Sequence, residues 1–133
     1  MKLYLDTCIW LNLFKKEKDY WRDTKKLLED YKEIYVSTIV LKEMQFVIPK
    51  KFLAIKDEFQ KDDTIHIIKT TTKDYDMARH FELQHASLSF YDYLHVAIAK
   101  RLNAILITRD RDLYNFSKNI VSTKFPKELL TQY

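Results

Sequence analysis

An α/β fold built on a largely parallel sheet follows from three features of this chain. Short apolar runs recur along it, the stretches between them are long enough for helices, and capping or turn residues stand at the junctions. Consecutive strands joined by helices of ten or more residues imply crossover connections, and so a parallel sheet covered on both faces.

The elements follow in order. Lys2-Leu3-Tyr4-Leu5 reads as a buried strand, and Asp6 follows it directly. Ile34-Tyr35-Val36 is a second strand, after which Ser37 or Thr38 caps a helix predicted over Ile39 to Ile48. Pro49 ends that helix or forces Ile48 out of helical geometry. Ile65-His66-Ile67-Ile68 is a third strand, set between the turn Asp62-Asp63-Thr64 and Thr70-Thr71-Thr72. The helix Tyr91 to Leu102 leads into a fourth strand, Ala104-Ile105-Leu106-Ile107, and Asn119-Ile120-Val121 is a candidate fifth.

Four acids fall where this alternation would bring them together: Asp6, Glu43, Asp92 and Asp110. In open parallel sheets the functional crevice lies beyond the carboxyl ends of the strands, where Asp6 and Asp110 stand. Glu43 lies between one and two turns into the helix leaving the second strand. Asp92, in the first turn of the helix that feeds the fourth, points to the same end if that helix runs back beneath the sheet. Each acid singly also fits a structural role. Asp6 and Asp110 can cap the helices that follow them, and Ser89-Phe90-Tyr91-Asp92 resembles a capping box with Asp in place of Glu. Glu43 beside Lys42 can be an exposed pair. Caps, however, have no reason to converge.

If the four do converge, electrostatics decides what they need. Two carboxylates about 5 Å apart at an effective dielectric of about 20 repel by roughly 3 kcal/mol, and a cluster of four contains several such pairs. The cluster must take up protons or bind a cation. Oxygen ligands suit a hard divalent ion, Mg²⁺ or Mn²⁺. Zinc would call for Cys and His at motif spacing, whereas the chain has one cysteine, Cys8, and four scattered histidines. His95, three residues past Asp92, reads as a core or hydrogen-bonded histidine before it reads as a ligand or base.

Together, Leu5-Asp6-Thr7, Glu43, the segment Tyr91-Asp92-Tyr93-Leu94-His95-Val96-Ala97-Ile98-Ala99 and Leu106-Ile107-Thr108-Arg109-Asp110 resemble the PIN domain family. Within it the chain is most similar to the VapC-type toxin ribonucleases of toxin–antitoxin systems. The resemblance runs from Met1 to about Phe125 and rests on the order and spacing of the motifs. It implies a three-layer α/β/α sandwich and a Mg²⁺- or Mn²⁺-dependent endoribonuclease. It further implies that Asp6, Asp92 and Asp110 bind the metal, with Glu43 completing the site or orienting the attacking water. Thr7 and Thr108 match hydroxyl positions that orient those carboxylates. Asn12 is expected to face the cleft, and Asp112 is an alternative to Asp110 that the Thr-x-Asp pattern disfavours.

Composition bounds the remainder. The chain, residues 1–133, is read as a single domain with 47% hydrophobic residues and no repeat or linker. It lacks glycine altogether, which excludes a P-loop or dinucleotide fingerprint. No apolar stretch is long enough to span a membrane, the N-terminus meets an acid too early for a signal peptide, and the lone cysteine accords with a cytoplasmic protein. The formal net charge is +4, and the chain outside the four acids is more basic still, as expected of a protein that holds an RNA backbone around an acidic cleft. Arg109 and Arg111, flanking Asp110, are the best candidates for phosphate contacts. The resemblance implies a cognate antitoxin as protein partner, and a homodimer is expected as well. The antitoxin's groove or the homodimer face would lie near Phe46 to Leu53 and the first helix at Trp10, Leu13 and Phe14. Three rival classes share parts of this pattern. A haloacid-dehalogenase-like phosphohydrolase would need a second Asp at position 8, which is Cys, and a receiver domain lacks its acid pair and lysine. A PIN fold that binds without cutting would gain nothing from clustered acids.

Overall fold

The computed structural model describes residues 1–130. Five strands form one wholly parallel sheet: β1 (Leu3–Leu5), β2 (Ile34–Ser37), β3 (Ile65–Ile68), β4 (Ile105–Ile107) and β5 (Thr123–Lys124). Their order across the sheet is β3-β2-β1-β4-β5, so β1 is central and is buried along its whole length. The chain works outward from β1 in one direction, then returns to the other side of β1 to place β4. That reversal opens a crevice at the carboxyl ends of β1 and β4.

Among the described residues, eight helices cover the sheet: α1 (Thr7–Phe14), α2 (Tyr20–Asp30), α3 (Thr38–Val47), α4 (Pro49–Lys61), α5 (Thr72–Gln84), α6 (Phe90–Leu102), α7 (Arg111–Ser117) and α8 (Pro126–Leu130). One layer is tied together by α1 against α2 and α4, with Trp10 against Phe59 at a ring distance of 4.8 Å. In the other layer α5 packs on α6, and Phe116 of α7 meets both Phe81 and Tyr93. The two layers and the sheet between them make the expected sandwich.

Local chemistry accounts for the junctions. Ser37 caps α3, accepting from the Val40 N–H. Pro49 stands at the first position of α4, where a missing N–H costs nothing, and Ile48 before it adopts φ −129°, ψ 61°. The pair α3–α4 is therefore one helical stretch broken at a single residue. Asn103 closes α6 in the left-handed region at φ 54°, the position glycine usually takes, in a chain that has no glycine. Thr71 and Asp74 form a capping box at the start of α5, so Thr70-Thr71-Thr72 is a helix entrance rather than a plain turn.

The fifth strand lies later than Asn119–Val121. The N–H groups of Ile120 and Val121 both bond to the Ser117 carbonyl, which keeps that segment in the turn closing α7. The ladder with β4 begins only where Leu106 N–H reaches the Ser122 carbonyl. Ile120 and Val121 are apolar because they pack on the core from that turn.

Candidate active site

The local structure that places the four acids is the capping chemistry itself. Asp6 ends β1 and caps α1 through Oδ1, which accepts from the Ile9 N–H at 3.2 Å and the Cys8 thiol at 2.9 Å. Asp110 follows β4 and caps α7, its Oδ1 accepting from Asp112 N–H at 2.9 Å and Leu113 N–H at 3.3 Å. Asp92 completes a capping box with Ser89, its Oδ2 accepting from the Ser89 N–H at 3.3 Å. Because α6 feeds β4, its N-terminus lies at the carboxyl edge of the parallel sheet. Capping and convergence are thus not alternatives: each cap of Asp92 and Asp110 engages one oxygen, and the other can face a shared pocket.

That pocket has a volume of about 220 Å³ and is lined by Asp6, Thr7, Cys8, Leu11, Glu43, Val47, Asp92, His95 and Asp110. All four acids picked out from the sequence line it. Asp6 is 4% exposed, and burial is the main reason its carboxyl is pushed above the usual range. Burial raises Asp92 too, with the charge of Asp110 adding to it. For Glu43 burial works in the same direction but is outweighed by hydrogen bonds from His95 and Thr7, which hold it below the usual range. Thr7 Oγ1 donates to Glu43 Oε1 at 2.6 Å. Thr108, fully buried, accepts from the Asp110 N–H at 3.0 Å and also hydrogen-bonds Asp6.

Other expected site residues stand elsewhere. Asn12 faces Arg109 and Glu17, accepting from Arg109 Nε at 2.8 Å and donating to Glu17 Oε1 at 3.3 Å. Arg109 is turned the same way, donating to the Tyr20 carbonyl at 3.0 Å with its guanidinium 4.2 Å from the Tyr20 ring centre. It braces α1 against α2. Arg111 is exposed. Asp112 lines a separate polar pocket with His85, Asn115 and Asn119, which leaves Asp110 as the acid on the shared site. Trp10 is wholly buried against Phe14 and Phe59 and cannot serve in a partner groove.

His95 is the buried, hydrogen-bonded histidine that its sequence context favoured, and it lines the acid pocket as well. It is 3% exposed and hydrogen-bonded at both ring nitrogens, with Nε2 3.1 Å from Glu43 Oε1. The hint of its place in the pocket was its spacing of three from Asp92, which puts both on adjoining faces of α6.

The donor set fits a hard cation. The Cys8 thiol is pushed far up by burial first and by Asp6 second, so it stays protonated and donates to Asp6 instead of offering a soft thiolate. Among the described residues, no three His, Cys, Asp or Glu side chains are drawn tightly enough together to form a ready coordination sphere.

The PIN domain model matches residues 3–119. This chain belongs to the PIN domain family. Solved structures agree with the PIN fold over nearly its whole length. A toxin–antitoxin complex from Klebsiella pneumoniae matches with a TM-score of 0.72 and 23% identity, covering 95% of this chain and 98% of that one. VapBC2 from Rickettsia felis, bound to a DNA fragment from its promoter, matches with a TM-score of 0.69 and 22% identity over 94% and 98% of the two chains. VapC20 of Mycobacterium tuberculosis, a sarcin–ricin-loop-cleaving toxin, matches with a TM-score of 0.72 and 16% identity over 86% and 94%. No curated protein matches by sequence. Among the described residues of this PIN domain, no helix is long and apolar enough to cross a membrane.

Proposed function

We propose that this PIN domain is a divalent-metal-dependent endoribonuclease and the toxin of a type II toxin–antitoxin pair. The observation that carries the reading is the convergence of Asp6, Glu43, Asp92 and Asp110 on one pocket at the sheet's topological reversal. Asp6, Asp92 and Asp110 would hold Mg²⁺ or Mn²⁺, which when bound supplies charge neutralisation at the phosphoryl oxygens and a water acidified toward neutral pH. Glu43, clamped on Oε1 by Thr7 and His95, would complete the site or orient the attacking water. Thr108 links the Asp6 and Asp110 loops and fixes their relative position. Arg111 and other surface cations hold the RNA backbone, while Arg109 acts on the scaffold. The dehalogenase-like alternative is not favoured, because position 8 carries a protonated thiol where that chemistry needs a carboxylate.

The test is cleavage of a labelled structured-RNA panel by wild type and Asp92→Asn, each with Mg²⁺, Mn²⁺ or EDTA. Cutting by metal-replete wild type alone is the expected result. Equal cutting in EDTA would refute metal dependence, and no cutting by folded, metal-loaded wild type on any RNA would refute the nuclease.

The antitoxin reading rests on apolar surface beside the site. Phe46 is 88% exposed, and it lines, with Lys42, Glu43, Val47 and Tyr91, a pocket of about 330 Å³ that shares Glu43 and Val47 with the acid pocket. Leu53, on α4, is a further exposed apolar side chain. A partner segment seated there would cover the acids as well; a second copy of the chain is the other occupant to test. Phe46→Glu is expected to weaken binding of the protein encoded beside this gene by at least about tenfold, since exposed aromatic anchors dominate interfaces. Unchanged affinity in a calorimetric titration would remove this face from the interface.

A further inference from the structure

Behind Glu43 runs a line of buried polar side chains whose role the cleavage chemistry leaves unassigned. Tyr4 and Ser37 are wholly buried and His95 nearly so. Val40 N–H donates to Ser37 Oγ at 3.3 Å, Ser37 Oγ lies 2.7 Å from the Tyr4 hydroxyl, and that hydroxyl lies 2.8 Å from His95 Nδ1. His95 Nε2 then reaches Glu43 Oε1 at 3.1 Å. The line draws on β1, β2, α3 and α6, so it exists only in the folded chain.

Its direction follows from what each group can do. An ionised carboxylate only accepts, so His95 Nε2 must present a hydrogen to Glu43. In the neutral imidazole Nδ1 then accepts, and Tyr4 must donate to it. A tyrosine hydroxyl carries its hydrogen at neutral pH, and that of Tyr4, wholly buried, has Ser37 and His95 as its neighbours, so the hydrogen this donation requires is available. With that hydrogen committed, the Tyr4 oxygen accepts from Ser37, and Ser37 accepts from Val40. All donors point toward Glu43, and hydrogen bonds aligned in this way polarise one another. Thr7 adds a second donor to the same Oε1 at 2.6 Å. Neither donor engages Oε2.

We propose that His95, set in its tautomer by Tyr4 and Ser37, is a positioning residue that clamps Oε1 of Glu43 and leaves Oε2 as the working oxygen of the site. The proposal rests on the nuclease reading for what Glu43 does, and not for where it is held. A histidine in this place organises a carboxylate from behind instead of touching the substrate. Outer partners of this kind typically change metal affinity or activity by about 10–100-fold when removed.

The experiment compares wild type, Tyr4→Phe, His95→Gln and His95→Leu. Nitrogen NMR of the metal-free proteins reads the His95 tautomer, calorimetry reads Mn²⁺ affinity, and RNA cleavage is split into kcat and KM. Wild type is expected to show hydrogen on Nε2. Tyr4→Phe, which keeps the ring's shape, should mix the tautomers and lower Mn²⁺ affinity or kcat by about tenfold with KM for RNA unchanged. His95→Gln, which keeps an N–H for Glu43, should retain most of the wild-type value while His95→Leu loses it. Hydrogen on Nδ1 in wild type would overturn the proposal, as would a Tyr4→Phe protein with wild-type tautomer, Mn²⁺ affinity and kcat. A wild type that neither binds Mn²⁺ nor cuts RNA would refute the nuclease, and the tautomers of wild type and Tyr4→Phe would then decide the clamp alone.

Discussion

Asp6→Asn is expected to abolish RNA cleavage, by a factor on the order of a thousand or more, while leaving the fold intact. The substitution keeps Oδ1, so the α1 cap from Ile9 survives, and what is lost is a charge. Stability should change in a pH-dependent way. Burial holds the folded-state Asp6 carboxyl above its ordinary value of 3.8, so between that value and the raised one the folded chain binds more protons than the unfolded. The metal-free wild type therefore loses stability as pH rises through that window. Below the ordinary value the two proteins should differ little; toward neutral pH Asp6→Asn should become the more stable of the two. Metal affinity should rise with pH for the same reason, since the ion must displace those protons. Melting temperatures across pH without metal, with cleavage in excess Mg²⁺, check both parts. Full activity of Asp6→Asn with metal present would sink the site assignment, and a melting difference independent of pH would sink the linkage.

Asp74→Ala should be among the most damaging changes away from the site. Asp74 is 2% exposed and accepts from Arg101 Nε and Nη2, each at 2.9 Å, while its Oδ2 also accepts the Thr71 N–H at 2.9 Å. It thus closes the capping box of α5 and ties that helix to the last turn of α6, whose first turn carries Asp92. Loss of the cap together with a bidentate pair whose carboxylate is buried and whose arginine is exposed should cost about 2–4 kcal/mol. Arg101→Ala should cost a similar amount, because it leaves a buried carboxylate without its partner. The double variant should then be less damaged than the two singles summed, since it removes both charges. Urea unfolding of the four proteins measures this, and strict additivity would mean that the pair contributes nothing as a pair.

Legibility differed by type of signal. Apolar runs of three or four residues marked β1, β2 and β4 because a strand largely buried on both faces has few polar positions to blur it; the edge strand β3 was marked by its three isoleucines in spite of the exposed His66. The fifth was misplaced because Ile120 and Val121 are equally apolar in a turn, and hydrophobicity records burial without recording which carbonyl receives an N–H. Asp6, Asp92 and Asp110 were legible because caps stand at element boundaries, and in a parallel sheet those boundaries share an edge. Arg109 and Asn12 looked like site residues from their neighbours in sequence, yet they answer each other and Tyr20 across α1 and α2.

What the sequence by itself determined was the α/β alternation, the helix entrances and the identity of the four acids, all of which are local properties of pattern and spacing. Tertiary structure alone decided that these acids share a pocket, that Asp112 does not, and that His95 reaches Glu43 from a strand-buried chain through Tyr4 and Ser37. Those facts depend on strand order: placing β4 on the far side of β1 brings residues about 90 positions apart, such as Tyr4 and His95, within a hydrogen bond. The hydrogen bond's short reach makes such a partner invisible to spacing and unmistakable once the sheet is ordered.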